Sequence, residues 1–162
     1  MTDLRRSITV IVLALSLVWL TGCTSDEGAD MNSTEAAEQL RTEAAQLAKR
    51  LGDAEPEEVR DEYQTCKPNV FDGNVYYTYS TKVALFPEAR AVMEDEVVPA
   101  MEAAGWTLRK RDSETYVAYD FDKDGFIVGA SIPTTERGTG ISVGGSSPCV
   151  EDDGTTGIIH DE

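Results

Sequence analysis

The sequence predicts an α+β domain: a twisted antiparallel sheet of about five strands, with two main helices packed on one face and one disulfide. Three observations predict it. Residues 33–51 and 87–104 keep helical spacing of their apolar positions. Five shorter runs, 75–85, 106–111, 115–121, 126–132 and 141–144, keep strand character. The last four of these follow one another through short polar connections, which favours antiparallel pairing, and the helices need an apolar sheet face to cover.

Taken in order, the first helix has Asn32 or Ser33 as its cap and Glu35 in its first turn, with an apolar stripe of Ala36, Leu40, Ala44, Leu47 and Leu51. Lys49 and Arg50 suit its C-terminal dipole, and Gly52 ends it. Pro56 is read as opening a short helical turn, with Val59 and Tyr63 four apart. "FDGN" (71–74) reads as a turn ahead of the first strand, in which Val75, Tyr77, Tyr79, Thr81, Val83 and Leu85 share a face. Tyr77 and Tyr79 are expected against the helices and Tyr76 on the opposite side. Pro87 opens the second helix and Gly105 closes it, while Pro99 should kink or split it near Glu96. The remaining strands follow, and 151–162 is an acidic, Gly-containing tail expected to be disordered.

The N-terminus carries a different message. Arg5 and Arg6 precede an uncharged apolar run over 8–19, shorter than the roughly 20 residues that span a bilayer. The run leads into Leu20-Thr21-Gly22-Cys23. This leader and box resemble the lipobox of bacterial lipoproteins. The resemblance implies diacylglyceryl attachment and acylation (palmitate-type chains) at Cys23 after cleavage of the signal peptide, and display on the extracytoplasmic side of the cell membrane. Arg5-Arg6 is followed by "SITV", without the aromatic usual in twin-arginine signals, so general and twin-arginine export both stay open. The domain organisation expected is a signal peptide over 1–22, a lipidated cysteine and flexible tether over 23–32, a single domain over 33–150 and the tail over 151–162.

Cysteine parity agrees with lipidation. Three cysteines in an exported chain leave one over; with Cys23 lipidated, Cys66 and Cys149 remain as a pair for an oxidising compartment. Two free thiols are the alternative. No His or Cys partners accompany them at zinc-site spacing, so no metal and no cofactor are expected.

Charge narrows the partners. Removing residues 1–22 leaves 12 basic against 29 acidic residues, a formal charge of −17. Such a surface repels nucleic acid and anionic headgroups, so anchoring falls to the acyl chains, at about 0.8 kcal/mol per buried methylene. The one histidine, His160, stands two residues from the carboxyl end in an acidic tail, a poor place for a catalytic base. "GGSSP" (144–148) lacks the strand–turn–helix context of a nucleophile elbow, and no catalytic residues are assigned.

"DFDKDG" (120–125) offers one further possibility. Asp120, Asp122, Asp124, Gly125 and Ile127 match the opening of an EF-hand loop, but position twelve is Ser131 and both flanks have strand period. The reading is an acidic hairpin turn. The functional expectation is a lipid-anchored envelope protein, not an enzyme, whose domain binds a partner or ligand; a carboxylate-based envelope hydrolase or a weak calcium-binding domain are the alternatives.

Overall fold

The first helix sets the layout of the domain. The computed structural model describes residues 31–52, 57–68, 70–135 and 140–158, and in it α1 (Ser33–Leu51) buries the stripe Ala36, Leu40, Ala44, Leu47 and Leu51. Asn32 is its cap: the side chain accepts from the Glu35 amide at 3.0 Å, and the Glu35 carboxylate accepts from the Asn32 amide at 3.1 Å. A reciprocal box of this kind satisfies two amides that have no partner within the helix, and losing the cap costs about 0.5–2 kcal/mol.

Seven strands follow the helix or lie between its successors: β1 (Glu57–Lys67), β2 (Val70–Ala84), β3 (Thr107–Asp112), β4 (Tyr116–Lys123), β5 (Phe126–Pro133), β6 (Gly140–Ser146) and β7 (Val150–Glu151). They form one antiparallel sheet in the order β1-β2-β6-β5-β4-β3, with β7 continuing beside β2 where β6 leaves off. The expected strands are all present; the sheet is larger than the five predicted because β1 and β7 join it. Residues 57–67, expected to begin a helical turn, are extended instead. Their pairing along β2, from Glu57↔Lys82 to Lys67↔Val70, supplies backbone partners that outweigh a weak four-residue spacing. "FDGN" is not a turn before the strand but a bulged stretch inside β2, opposite the register shift between Thr65 and Lys67, with Gly73 at φ 83°.

Between β2 and β3 three helical segments run on without a break: α2 (Ala89–Val92), a π-helical segment (Met93–Val97) and α3 (Val98–Ala103). The π segment ends two residues before Pro99, whose ring cannot sit against the carbonyl four residues back and whose nitrogen donates nothing. The expected disturbance near Glu96 thus takes the form of a π turn.

Both helical runs cover the same sheet face. Tyr119, Phe121, Val128, Ala130, Val143 and Ile141 stand on it in register (Phe121↔Val128, Tyr119↔Ala130, Ala130↔Val143) and pack with Leu40, Leu47, Met93 and Val97 in one cluster. Full burial of each such side chain contributes about 1.5–3 kcal/mol. Tyr77 is buried on this face and Tyr79 half-buried, as their alternation predicts.

Cys66 and Cys149 are bonded, with Cα atoms 6.0 Å apart. They do not lie on neighbouring strands. Cys66 is in β1 and Cys149 between β6 and β7, with β2 between them. Strands two apart stand about 9–10 Å from each other. The bulge after Thr65 and the break at 147–149 therefore lean toward one another across β2. Closing a loop of this size is worth about 4–5 kcal/mol in the chain-entropy model. The tail is also more ordered than expected. Residues 151–158 are placed, and Asp152 and Asp153 bond to Gly73 and Ser33; 159–162 lie outside the described residues, as do the leader, Cys23 and most of the tether.

On the opposite sheet face Gly129 and Gly144 are directly paired. A Cβ on Gly144 would strike the Tyr79 carbonyl oxygen and lie 2.7 Å from Ser80 Cα, so the backbones approach closer than any side chain permits. Gly144→Ala should destabilise the protein by about 1–3 kcal/mol, lowering the thermal midpoint by several degrees. Ser142→Ala, two residues away on the same face, should stay within about 0.5 kcal/mol of wild type. Equal midpoints for both variants would show that the close approach is absent in solution.

Candidate functional site

Period-two geometry leaves the face away from the helices with an unusual composition. Where the covered face has Val, Tyr, Phe and Ile, this one has Ser80 and Thr78 on β2, Ser142, Gly144 and Ser146 on β6, Gly129 and Ser131 on β5, and Ala118 on β4. Small side chains leave a depression, a cleft of about 380 Å³ lined by Arg60, Ser80, Ser131, Ser142 and Asp120, with Gly129 and Gly144 on its floor. Among the described residues no hydrogen bond engages the hydroxyls of Ser80, Ser131 or Ser142, so each can donate to and accept from a ligand.

Ion pairs border the cleft. On the β3–β4 side, Arg111 meets Asp120 through Nη2 at 2.6 Å and Nε at 3.0 Å, and Arg109 meets Asp122 at 2.6 Å. On the β1 side Arg60 and Glu62 stand 3.4 Å apart. Exposed pairs of this kind contribute only about 0–1 kcal/mol, so a ligand can compete for either member at small cost. Tyr76 is on this face as expected, with its hydroxyl donating to Gln64 Oε1. Chemically the cleft can hold a polar group by hydrogen bonds. Its one lining carboxylate, Asp120, is already matched by Arg111.

"DFDKDG" forms the tip of the β4–β5 hairpin. Asp124 (φ 52°) and Gly125 (φ 80°) make the two-residue turn between Lys123 and Phe126, the left-handed pair that fits the twist of antiparallel strands. Asp120 and Asp122 point away from the turn's loop into the pairs with Arg111 and Arg109. Among the described residues no three His, Cys, Asp or Glu side chains are grouped to hold a metal ion.

Two polar clusters on the helix side are structural. Asp61 accepts from Arg41 at 2.8 Å and from the Tyr77 hydroxyl, and the Arg41 guanidinium lies 4.7 Å from the Tyr77 ring centroid. The hydrogen bond from Arg41 lowers the Asp61 carboxyl, while burial pushes the Tyr77 hydroxyl up. Glu94 Oε1, in the π segment, accepts from Lys110 at 2.9 Å, Tyr119 at 2.7 Å and Arg90 at 3.1 Å, tying that segment to β3 and β4.

A second cleft, about 470 Å³, lies at the far end of the sheet from Asn32. Leu51, Val83, Leu85, Phe86 and Val92 line it, with Lys49, Arg50 and Glu96 at its margin.

Of the residues singled out from sequence, the structure brings together Cys66 with Cys149, and Asp120 with Asp122 on one face. It shows that Asp124 serves the turn. The cleft hydroxyls were not found by sequence reasoning. Their signal is the alternation of small with large residues in "YSTKV", "VGASI" and "ISVGGS", which marks one face as bare without marking it as a site.

The Glu94 cluster yields a pH prediction. Lys110, then Tyr119 and Arg90, hold its carboxyl at about 2, below the ordinary 4.5. Its stabilising contribution is therefore full above pH 4.5 and lost as pH falls toward 2. Thermal melts of wild type and Glu94→Gln should differ most at neutral pH and converge over that interval. A difference that is constant with pH would show that the charge is not what holds the cluster.

No protein-family model, curated protein or solved structure matches the chain.

Proposed function

We propose that the protein is a lipid-anchored envelope protein whose extracytoplasmic domain is a binding module, with the cleft on the helix-free sheet face as its ligand-facing surface. The observation that supports this most is the cleft itself: three seryl hydroxyls without partners among the described residues, over a floor of glycines, between ion-paired margins. The anchor rests on the leader and Cys23. The acidic tether of residues 24–32 then separates lipid from domain, and no helix among the described residues is long and apolar enough to cross a membrane by itself.

A carboxylate-based hydrolase has less support. Such chemistry needs two carboxyl groups facing one substrate, and the cleft is lined by Asp120 alone, paired to Arg111.

Two linked experiments test the reading. Metabolic labelling with a clickable fatty acid should mark the wild-type protein and not Cys23→Ala; equal labelling removes the anchor. A photocrosslinking amino acid placed at Ser142 should capture a partner or ligand on intact cells, and one placed at Gln46, on the outer side of α1, should not. Adducts from Gln46 alone would move the binding surface to the helix side.

A further inference from the structure

The C-terminal segment after Pro148 is placed by Val150 in the core, by two ladder pairs with β2 and, beyond them, by polar contacts at one end of α1. Asp152 donates its amide to the Gly73 carbonyl at 2.9 Å, and Asp153 donates its own to Ser33 Oγ at 3.2 Å. The Asp153 carboxylate accepts from the Thr34 amide at 3.2 Å, and the hydroxyls of Thr34 and Thr155 meet at 3.1 Å. Glu151 forms a parallel bridge with Asn32, the residue that caps the helix. Bonds from Thr155 and Thr34 hold the Asp153 carboxyl far below the usual carboxylate range, and the helix N-terminus favours its negative charge.

Little apolar burial backs these contacts. Val150 is 6% exposed, but Glu151, Asp153, Gly154 and Thr155 are all exposed, and β7 contributes only two ladder pairs, Asn74↔Glu151 and Val75↔Val150. Exposed polar bonds without burial belong to the easily opened part of a fold. What fixes this segment's starting point is covalent: Cys149 immediately precedes it and is bonded to Cys66 on the far side of β2. Cys149 is exposed, and Cys66 is the less accessible partner.

We propose that residues 150–156 are a strap over the N-terminal end of α1 and that the Cys66–Cys149 disulfide is its redox latch. A dithiol reductant of the envelope opens it. One thiolate attacks Cys149 Sγ, the bond to Cys66 breaks, and Cys66 leaves as a thiolate. The reductant's second thiol then displaces Cys149, leaving two free cysteines and an oxidised reductant. The strap loses its fixed origin and detaches from Ser33 and Thr34, while the sheet and the covered face keep their apolar core. Because α1 begins where the expected tether ends, the helix end that the opened latch uncovers is the one next to the tether. That consequence depends on the lipid anchor; the latch does not.

Hydrogen exchange on the purified full-length protein tests the latch, before and after dithiothreitol. Reduction should bring exchange at Thr34, Asp152 and Asp153 close to that of an unprotected amide, about tenfold faster or more, while Phe121 and Val128 stay protected even though the domain loses the stability of the cross-link. Asp153→Ala in the oxidised protein should free Thr34 while Asp152, bonded to the Gly73 carbonyl and close to the disulfide, stays protected. Unchanged exchange at all three strap-contact amides after complete reduction would overturn the proposal, because the strap would then hold itself. Loss of protection at Phe121 and Val128 as complete as at the strap would overturn it too, because the disulfide would then be a support of the whole domain.

Discussion

One constraint organises this molecule: only one face of its sheet carries a continuous apolar surface. Tyr119, Phe121, Val128, Val143 and Ile141 alternate with Ala118, Asp120, Gly129, Gly144 and Ser142, so the pleat sorts large apolar from small polar side chains strand after strand. A face of the first kind must be covered, and α1 together with the α2–π–α3 run covers it. A face of the second kind, with Ile127 and Tyr116 as its scattered larger residues, supplies little continuous apolar surface to attract a third layer. The two-layer architecture, the cleft and the position of the proposed site all follow from that sorting. The close approaches of Gly144 to Tyr79 and Ser80 and of Gly129 to Tyr119 and Asp120 deepen the consequence, because side chains there would strike the neighbouring strands.

Much of this was legible from the residues. The α1 stripe and its cap, the five strands with clear alternation, the disturbance ahead of Pro99 and the Asp124-Gly125 turn all stand where local chemistry puts them, because each is decided within a few residues. What was not legible depends on distant partners. Residues 57–67 carry Glu, Arg, Asp and Gln with few apolar positions, and only the long pairing with β2 makes them a strand. The two-residue β7 exists because the chain passes beside Val75 after the break at 147–149. The segment that follows is acidic and small, the composition of a disordered tail, yet it meets α1's first turn, whose amides want acceptors. The cleft was invisible for another reason: serine on an exposed strand face is ordinary, and only the absence of a covering layer makes a row of them a surface with capacity to bind.

Covalent and electrostatic devices then sit at the margins of the one-sided core. The disulfide joins β1 to the β6–β7 break over β2, and the Glu94 and Asp61 clusters fasten helices to the sheet. In the proposed anchored protein these devices stand at the helix side and at the tether end, while the helix-free face stays open. Under that proposal the strongly acidic chain is repelled by anionic headgroups, which favours an open face accessible rather than pressed against the bilayer.

The central claim is that the helix-free face is both bare in the isolated protein and engaged in the cell. Hydroxyl-radical footprinting, followed at residue level, tests both halves together. In the purified full-length protein Ile127 and Tyr116 on that face should be labelled, and Phe121 and Val128 on the covered face protected. On intact cells Ile127 should become protected while exposed positions on α1, such as Gln46, keep their reactivity. Labelling of Phe121 and Val128 in the purified protein, or an Ile127 equally reactive with and without the cell, would contradict it.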